Sequence, residues 1–333
     1  MTPKRADLVL SGGGVKGIGL VGAVVALMEA GYTAQRVSGT SAGSIVGSIV
    51  AAAVQGRQMT PAEVKELALS LNYRDFLDPG PIERVPLIGR PVALLRGTGI
   101  YRGDRVRDWV RGQLKSLGVS TFGDLAYDDS ELLPERRYRL VVTVADVTTG
   151  QLVRLPWDYR RVYGVDPDDQ QVADAVRASM SIPFFFRPAS LTSRAGLTST
   201  LLDGGILSNF PIDSLDRPDG KEPRWPTFGV TLLPNLPEGN DAVIPALRAL
   251  NVLGSTKLLE EVITTMLVGR DQAYLNQPWV SARTIRVDST DVGFLDFGIS
   301  DKSVKMLYDK GYTAAVKFLS TWDWRAYVTE FRR

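Results

Sequence analysis

Two short apolar runs near the start of the chain each break into a glycine-rich turn and then into a helix-forming stretch. No other feature constrains the fold as much. Residues 7–11 read as a buried strand, followed by Gly12-Gly13-Gly14-Val15-Lys16-Gly17 and an apolar helix ending near Ala30. Residues 35–38 read as a second strand, followed by Gly39-Thr40-Ser41-Ala42-Gly43 and a helix rich in Ala, Gly and Ser. Strands joined through helices pair in parallel, so two such units within 55 residues predict a parallel α/β sheet. Further strands are expected at 138–145, 198–202 and 227–233. Helices are expected at 62–71, 104–117, 174–180, 243–267 and 303–319.

Neither an internal repeat nor a low-complexity tract interrupts this pattern. The Pro-, Gly- and Arg-rich span 78–103 reads as a long, lid-like excursion from the sheet, and 213–226 as a surface loop. Neither is long enough to separate independent units, so residues 1–333 are expected to form one domain. The longest apolar stretches, 17–28 and 45–54, fall short of the roughly 18–20 residues of a membrane-spanning helix. Asp7, the glycines and Lys16 interrupt what would be a signal-peptide core. The expectation is a cytoplasmic protein with peripheral membrane contact, secretion without a signal peptide remaining open.

Composition then narrows the chemistry. The chain has 333 residues with no histidine and no cysteine. That excludes Ser-His-Asp and Cys-His relays, imidazole acids and bases, thiolate nucleophiles, disulfides and cysteine- or histidine-ligated metals. Lys and Arg number 39 against 37 Asp and Glu, a balance that argues against a nucleic-acid binder.

Gly39-Thr40-Ser41-Ala42-Gly43 is a G-x-S-x-G between strand and helix. A nucleophile on so sharp a turn needs small residues two before and two after, which Gly39 and Gly43 supply. The helix that follows offers amides and a positive dipole end. A plain glycine turn before a closely packed helix explains the same pattern. The loop Gly12–Gly17 is also ambiguous, because its amides suit either a phosphate or the oxyanion of a tetrahedral intermediate. Gly12, Gly14 and Gly17 satisfy the dinucleotide fingerprint, but the next strand brings Arg36 and no acid to hold a ribose. A nucleotide-triphosphate loop would need Ser or Thr after Lys16, where Gly17 stands. Candidate bases for Ser41 are Lys16, Asp146 and Asp203. Lys16 lies in the anion loop and suits a helix cap or a ligand contact, and Asp146 precedes a turn composition. Asp203 follows Leu201-Leu202 at a strand end, just before Gly204-Gly205, and is the choice.

Four blocks in order now resemble the patatin-like phospholipases: Gly12–Gly17, Gly39–Gly43, Ala178-Ser179-Met180-Ser181-Ile182-Pro183 and Asp203-Gly204-Gly205. Weaker similarity runs through 99–104, 143–146 and the helix at 305–318, so it covers most of the chain. The resemblance implies a three-layer α/β/α fold with a mainly parallel sheet, and a Ser-Asp dyad with Ser41 as nucleophile and Asp203 as base. It also implies an oxyanion hole from Gly12, Gly13 and Gly14, with Lys16, Gly17, Gly39, Gly43, Gly204 and Gly205 supporting the motifs. No cofactor or metal is implied. The expected activity is hydrolysis of lipid acyl esters, of phospholipase A or lysophospholipase type. The alternatives are a general carboxylesterase or neutral-lipid hydrolase, a nucleotide-binding protein using Gly12–Gly17, and a lipid binder with an inert dyad.

Expected contacts are with a lipid substrate and a membrane surface, with no nucleic acid; the sequence names no protein partner. The span 84–111 carries Arg84, Arg90, Arg96, Arg102, Arg105, Arg107 and Arg111 against Asp104 and Asp108, interleaved with apolar residues. It reads as an anionic-membrane contact or as a solvated face. Phe184-Phe185-Phe186 reads as acyl-channel lining or a core strand. Trp322, Trp324, Tyr327 and Phe331 read as interface anchors or as the packing of a terminal helix.

Overall fold

The computed structural model describes residues 4–80, 99–232 and 272–332. Strand β1 (Lys4–Leu10) leads through the glycine loop into α1 (Ile18–Glu29), and β2 (Tyr32–Thr40) through Ser41 into α2 (Ala42–Gln55), as the sequence pattern predicts. Next come α3 (Pro61–Leu69), α4 (Asp104–Ser116), β3 (Leu140–Asp146), β4 (Gln151–Leu155), α5 (Val172–Ser179), β5 (Ala189–Thr192) and β6 (Thr198–Asp203). The described chain closes with β7 (Thr227–Thr231), β8 (Thr284–Arg286), α6 (Asp301–Leu319) and α7 (Trp324–Phe331). The helix expected at 243–267 and most of the excursion at 78–103 lie outside the described residues.

Among the described residues the eight strands form one sheet in the order β5-β6-β3-β2-β1-β7-β8, with β4 also on β3. Pairs β1-β2, β1-β7, β2-β3 and β7-β8 are parallel, while β3-β4, β3-β6 and β5-β6 are antiparallel. The sheet is therefore mixed and mainly parallel, flanked by helices. Its central strands are buried along most of their length, and all seven residues of β3 are buried. This is the continuous apolar run expected of a strand covered on both faces.

The edge of β3 decides where the chemistry can lie. Val142 and Thr143 pair with both β2 and β4, and Val144, Ala145 and Asp146 pair with both β4 and β6. A strand has only two edges, so β2 and β6 occupy successive stretches of the same one. Thr40 sits opposite Thr143, and Asp203 opposite Val144. The C-terminal ends of β2 and β6 thus meet head to head.

Helix α1 is apolar on every side because it is enclosed on every side: each residue from Ile18 to Leu27 is buried. Its outer cover is α6, and the two cross with backbones nearly touching. A Cβ on Gly22 would lie 2.0 Å from the Tyr308 carbonyl oxygen. Helix α3 starts on a capping box, with the Thr60 hydroxyl accepting from the Glu63 amide at 3.2 Å and the Glu63 carboxylate accepting from the Thr60 amide at 2.7 Å. The segment 213–226, expected at the surface, is partly internal. Leu215 is buried and its carbonyl accepts from the Arg36 guanidinium, while nearby Phe210 and Ile212 pack where Gly229 leaves room on the sheet.

Candidate active site

Ser41 occupies the turn between β2 and α2 with φ 52° and ψ −123°, a left-handed conformation that a non-glycine residue holds only under constraint. The constraints are visible on both sides. A Cβ on Gly39 would lie 2.4 Å from the Gly43 carbonyl oxygen, and one on Gly43 would lie 2.3 Å from that of Leu10. The Ser41 amide donates to Ser179 Oγ at 2.8 Å, and that hydroxyl donates to the Thr143 carbonyl at 2.7 Å. The Ser41 carbonyl accepts from the Ser44 amide at 2.8 Å and from its hydroxyl at 2.6 Å.

Asp203 reaches the same place from the opposite direction. Its amide donates to the Ser181 carbonyl at 3.0 Å, and its Oδ1 accepts from the Gly205 amide at 2.8 Å. Gly204 fits because a Cβ there would lie 2.3 Å from the Thr143 carbonyl oxygen. Ser41 is 1% and Asp203 0% exposed, and neither Ser41 Oγ nor Asp203 Oδ2 has a hydrogen-bond partner. Burial pushes the Asp203 carboxyl up to about 7, opposed by the nearby Ser41 hydroxyl and the Gly205 amide.

The glycine loop divides into two parts. The Gly12 amide is occupied, donating to the Asn209 carbonyl at 3.1 Å. The amides of Gly13 and Gly14 have no partner among the described residues. Gly14, at φ 56°, also approaches the Phe294 carbonyl too closely for any Cβ. Gly17 packs against Ala42 at the start of α2. The buried Lys16 ammonium falls to about 8 through loss of water, countered by Asp288.

Two residues at the site had no role in the sequence reading. Ser179 lies within the Ala178–Pro183 block, and the hydroxyl that accepts from the Ser41 amide was legible only as residue type. Asn209 lies four residues beyond Gly205. Its side-chain oxygen is 2.2 Å from where a Gly12 Cβ would stand, and that position is itself 3.2 Å from Ser41 Cβ. The polar pair Ser208-Asn209 shortly after Asp203-Gly204-Gly205 was the available signal.

The other candidates settle elsewhere. Asp146 is a turn organiser, accepting from the amides of Thr148 and Thr149 at 3.0 and 3.1 Å and from the Tyr163 hydroxyl at 2.9 Å. Arg36, the residue where a dinucleotide site would place its acid, forms a buried ion pair with Asp7. Within 84–111 only the residues from 99 on are described. There Arg102 and Arg107 pair with Asp104, Arg111 pairs with Asp108 and Asp174, and Arg105 donates to the Asp75 carbonyl. Phe184–Phe186 form no strand: Phe184 takes φ 65°, and Phe185 and Phe186 pack on Phe297. The C-terminal aromatics stack on one another, with Trp322 on Phe228 and Phe318. Among the described residues no acidic cluster could hold a metal, and no helix is long and apolar enough to cross a membrane.

A small apolar crevice of about 70 Å³, lined by Gly14, Ala42 and Met180 among others, lies between α1, α2 and α3. A strained serine elbow, a buried carboxylate and two loop amides without a partner among the described residues thus stand together beside an apolar crevice on an α/β sheet.

Comparison with known proteins gives the family. The patatin-like phospholipase model matches residues 8–216, and the chain belongs to that family, whose members support lipid hydrolase activity. The Bacillus subtilis protein YqhO is 33% identical over 324 residues, covering 96% of this chain and 99% of that one. The Mycobacterium tuberculosis NTE family protein Rv1063c is 30% identical over 211 residues, 62% of this chain but 44% of its own length. The crystal structure of VipD from Legionella pneumophila aligns with a TM-score of 0.53 at 21% identity, over 96% of this chain and 67% of that one. It shares the fold.

Proposed function

We propose that the protein is a serine acyl hydrolase acting on fatty-acyl esters of lipids, of phospholipase A or lysophospholipase type. The observation that carries this reading is the meeting of β2 and β6 on one edge of β3, which leaves Ser41 Oγ and Asp203 Oδ2 buried side by side without other partners. In the first half-reaction Asp203 takes the Ser41 proton as Oγ attacks the ester carbonyl. The negative charge that develops on the carbonyl oxygen is received by the amides of Gly13 and Gly14, with the N-terminus of α2 adding its dipole. Asp203 then passes the proton to the departing alkoxide, leaving an acyl-serine. In the second half-reaction water gives its proton to Asp203 and attacks the acyl carbon. Collapse returns that proton to Ser41 and releases the fatty acid.

Two features of the site support the assignment of roles. The Gly12 amide already donates to the Asn209 carbonyl, which favours Gly13 and Gly14 as the oxyanion donors. An aspartate held near neutrality is a far better base than one at the ordinary value of about 3.9. The test is labelling by a fluorophosphonate, which reports an activated serine, together with a product profile from mixed phospholipids. Labelling is expected in the native chain and absent in Ser41→Ala. A native chain that takes no label and releases no fatty acid overturns the assignment.

A further inference from the structure

We infer that Arg177 is a positioning residue: acting through Ser181, it sets the spacing between Ser41 and Asp203 while making no hydrogen bond to either. The inference rests on those two residues forming the proposed dyad. Both are gripped by one short stretch at the end of α5. The Ser41 amide donates to Ser179 Oγ at 2.8 Å, and two residues further on the Ser181 carbonyl accepts from the Asp203 amide at 3.0 Å. Whatever fixes Ser181 relative to the helix therefore fixes the base relative to the nucleophile. Arg177 does so with one arm of its guanidinium, Nη1 donating to Ser181 Oγ at 2.7 Å, while that hydroxyl donates back to the Arg177 carbonyl at 3.2 Å.

The other arm is anchored away from the dyad. Nη2 donates to the carbonyl of Arg102 and, at 2.8 Å, to that of Arg187, so one planar group joins α5 to two further stretches of chain. Those stretches are themselves laced together: the Tyr101 amide donates to the Phe185 carbonyl and the Arg187 amide to the Tyr101 carbonyl, each at 2.8 Å. Asp78 pins the first of them, accepting from the amides of Gly103 and Asp104 at 2.6 and 2.7 Å. A Cβ on Gly103 would lie 2.3 Å from Arg177 Nε, so the glycine leaves the space that the guanidinium fills. Stability alone does not call for a charge here. Arg177 is 8% exposed, and Asp104 and Asp78 attract it without an ion pair, since Asp104 pairs with Arg102 and Arg107. A buried charge without an ion partner is costly. What it supplies is a rigid fork of donors that a point-like ammonium cannot reproduce.

The test uses the full chain with a short p-nitrophenyl ester, read as kcat, KM and the midpoint of the acid limb, with fluorophosphonate labelling in parallel. Arg177→Met is expected to lower kcat about a hundredfold with KM nearly unchanged, the cost of displacing a reacting group by about 1 Å. Its midpoint should rise from about 7 towards about 8, because a carboxylate that drifts from the Ser41 hydroxyl loses the contact that opposes burial. Ser181→Ala, which leaves the guanidinium on its two carbonyls, should move kcat and midpoint in the same directions, and the double variant should be no worse than Arg177→Met. Arg177→Lys keeps the charge, guards against a misfolded Met variant and should still show the raised midpoint. If the native chain labels while Ser181→Ala and Arg177→Lys keep its kcat and midpoint, the positioning role is overturned and the dyad stands. A fall in kcat at an unmoved midpoint, or losses that add in the double variant, overturns it equally. A native chain that neither labels nor cleaves the ester overturns the dyad, and the positioning role with it.

Discussion

At the scale of single residues the carboxylate of Asp203 sets the pH behaviour. Its acid form persists up to about 7 because burial withholds water from the charge. As the proposed base it works only when ionised, so kcat/KM should fall on the acid side with a midpoint near 7, not near 4; a pH-rate profile on a short ester checks this. The same shift has a stability consequence. A carboxyl whose pKa rises on folding binds protons more tightly when folded, so its destabilising contribution is absent below about 4, grows through the interval to about 7 and is constant above. Asp203→Asn should therefore abolish turnover yet raise Tm at pH 8, by the equivalent of up to about 4 kcal/mol, with a smaller gain at pH 5. Thermal melts at the two pH values measure the difference. Ser41 and Asp203 were legible in the sequence because glycines flank them for reasons of space. Asn209 and Ser179 were not, since their parts depend on a carbonyl and a hydroxyl that only the folded chain brings to Gly12 and Ser41.

At the scale of elements the serine elbow is held by the segment that ends α5. Ser179→Ala removes the acceptor for the Ser41 amide and leaves both that amide and the Thr143 carbonyl short of a partner. The expected result is a drop in kcat of about tenfold, in line with roughly 1.4 kcal/mol, with KM nearly unchanged and labelling slowed. Gly43→Val is a harsher change, since its Cβ falls 2.3 Å from the Leu10 carbonyl oxygen. α2 would have to leave β1, and a loss of soluble folded protein is expected in expression and melting experiments. The elements with strong periodicity or a glycine turn, such as α1, α2, β1 and β6, stand where their sequences place them. β4, β5 and β8 had no such signal. β8 is three residues long and β5 alternates between half-buried and exposed positions, so pairing partners far along the chain, not local pattern, make them strands.

At the scale of the whole molecule the C-terminus is tied to the middle of the chain. Asp216 accepts from the fully buried Arg283 at 2.6 and 2.8 Å and from Arg332, next to α7, at 2.5 Å. Asp216→Ala strands the Arg283 guanidinium without its carboxylate and should lower stability by about 3 kcal/mol or more, while fluorophosphonate labelling of the folded fraction persists. The mainly parallel sheet was legible from two strand-turn-helix units. The head-to-head meeting of β2 and β6 was not, because it depends on which edge of β3 each strand takes. That meeting orders events in time. Thr40 and Asp203 are brought together by adjacent residues of β3, although most of the chain's first two hundred residues separate them. Helices α1 and α2 can form from neighbouring sequence, but the proposed Ser41–Asp203 pair exists only after β3 has captured both partners, one of them antiparallel. Closing so long a loop is among the slow steps of folding. On dilution from urea, the far-UV helical signal should recover first and the capacity to react with a fluorophosphonate afterwards, making the enzyme's own chemistry a clock for the last pairing in its sheet.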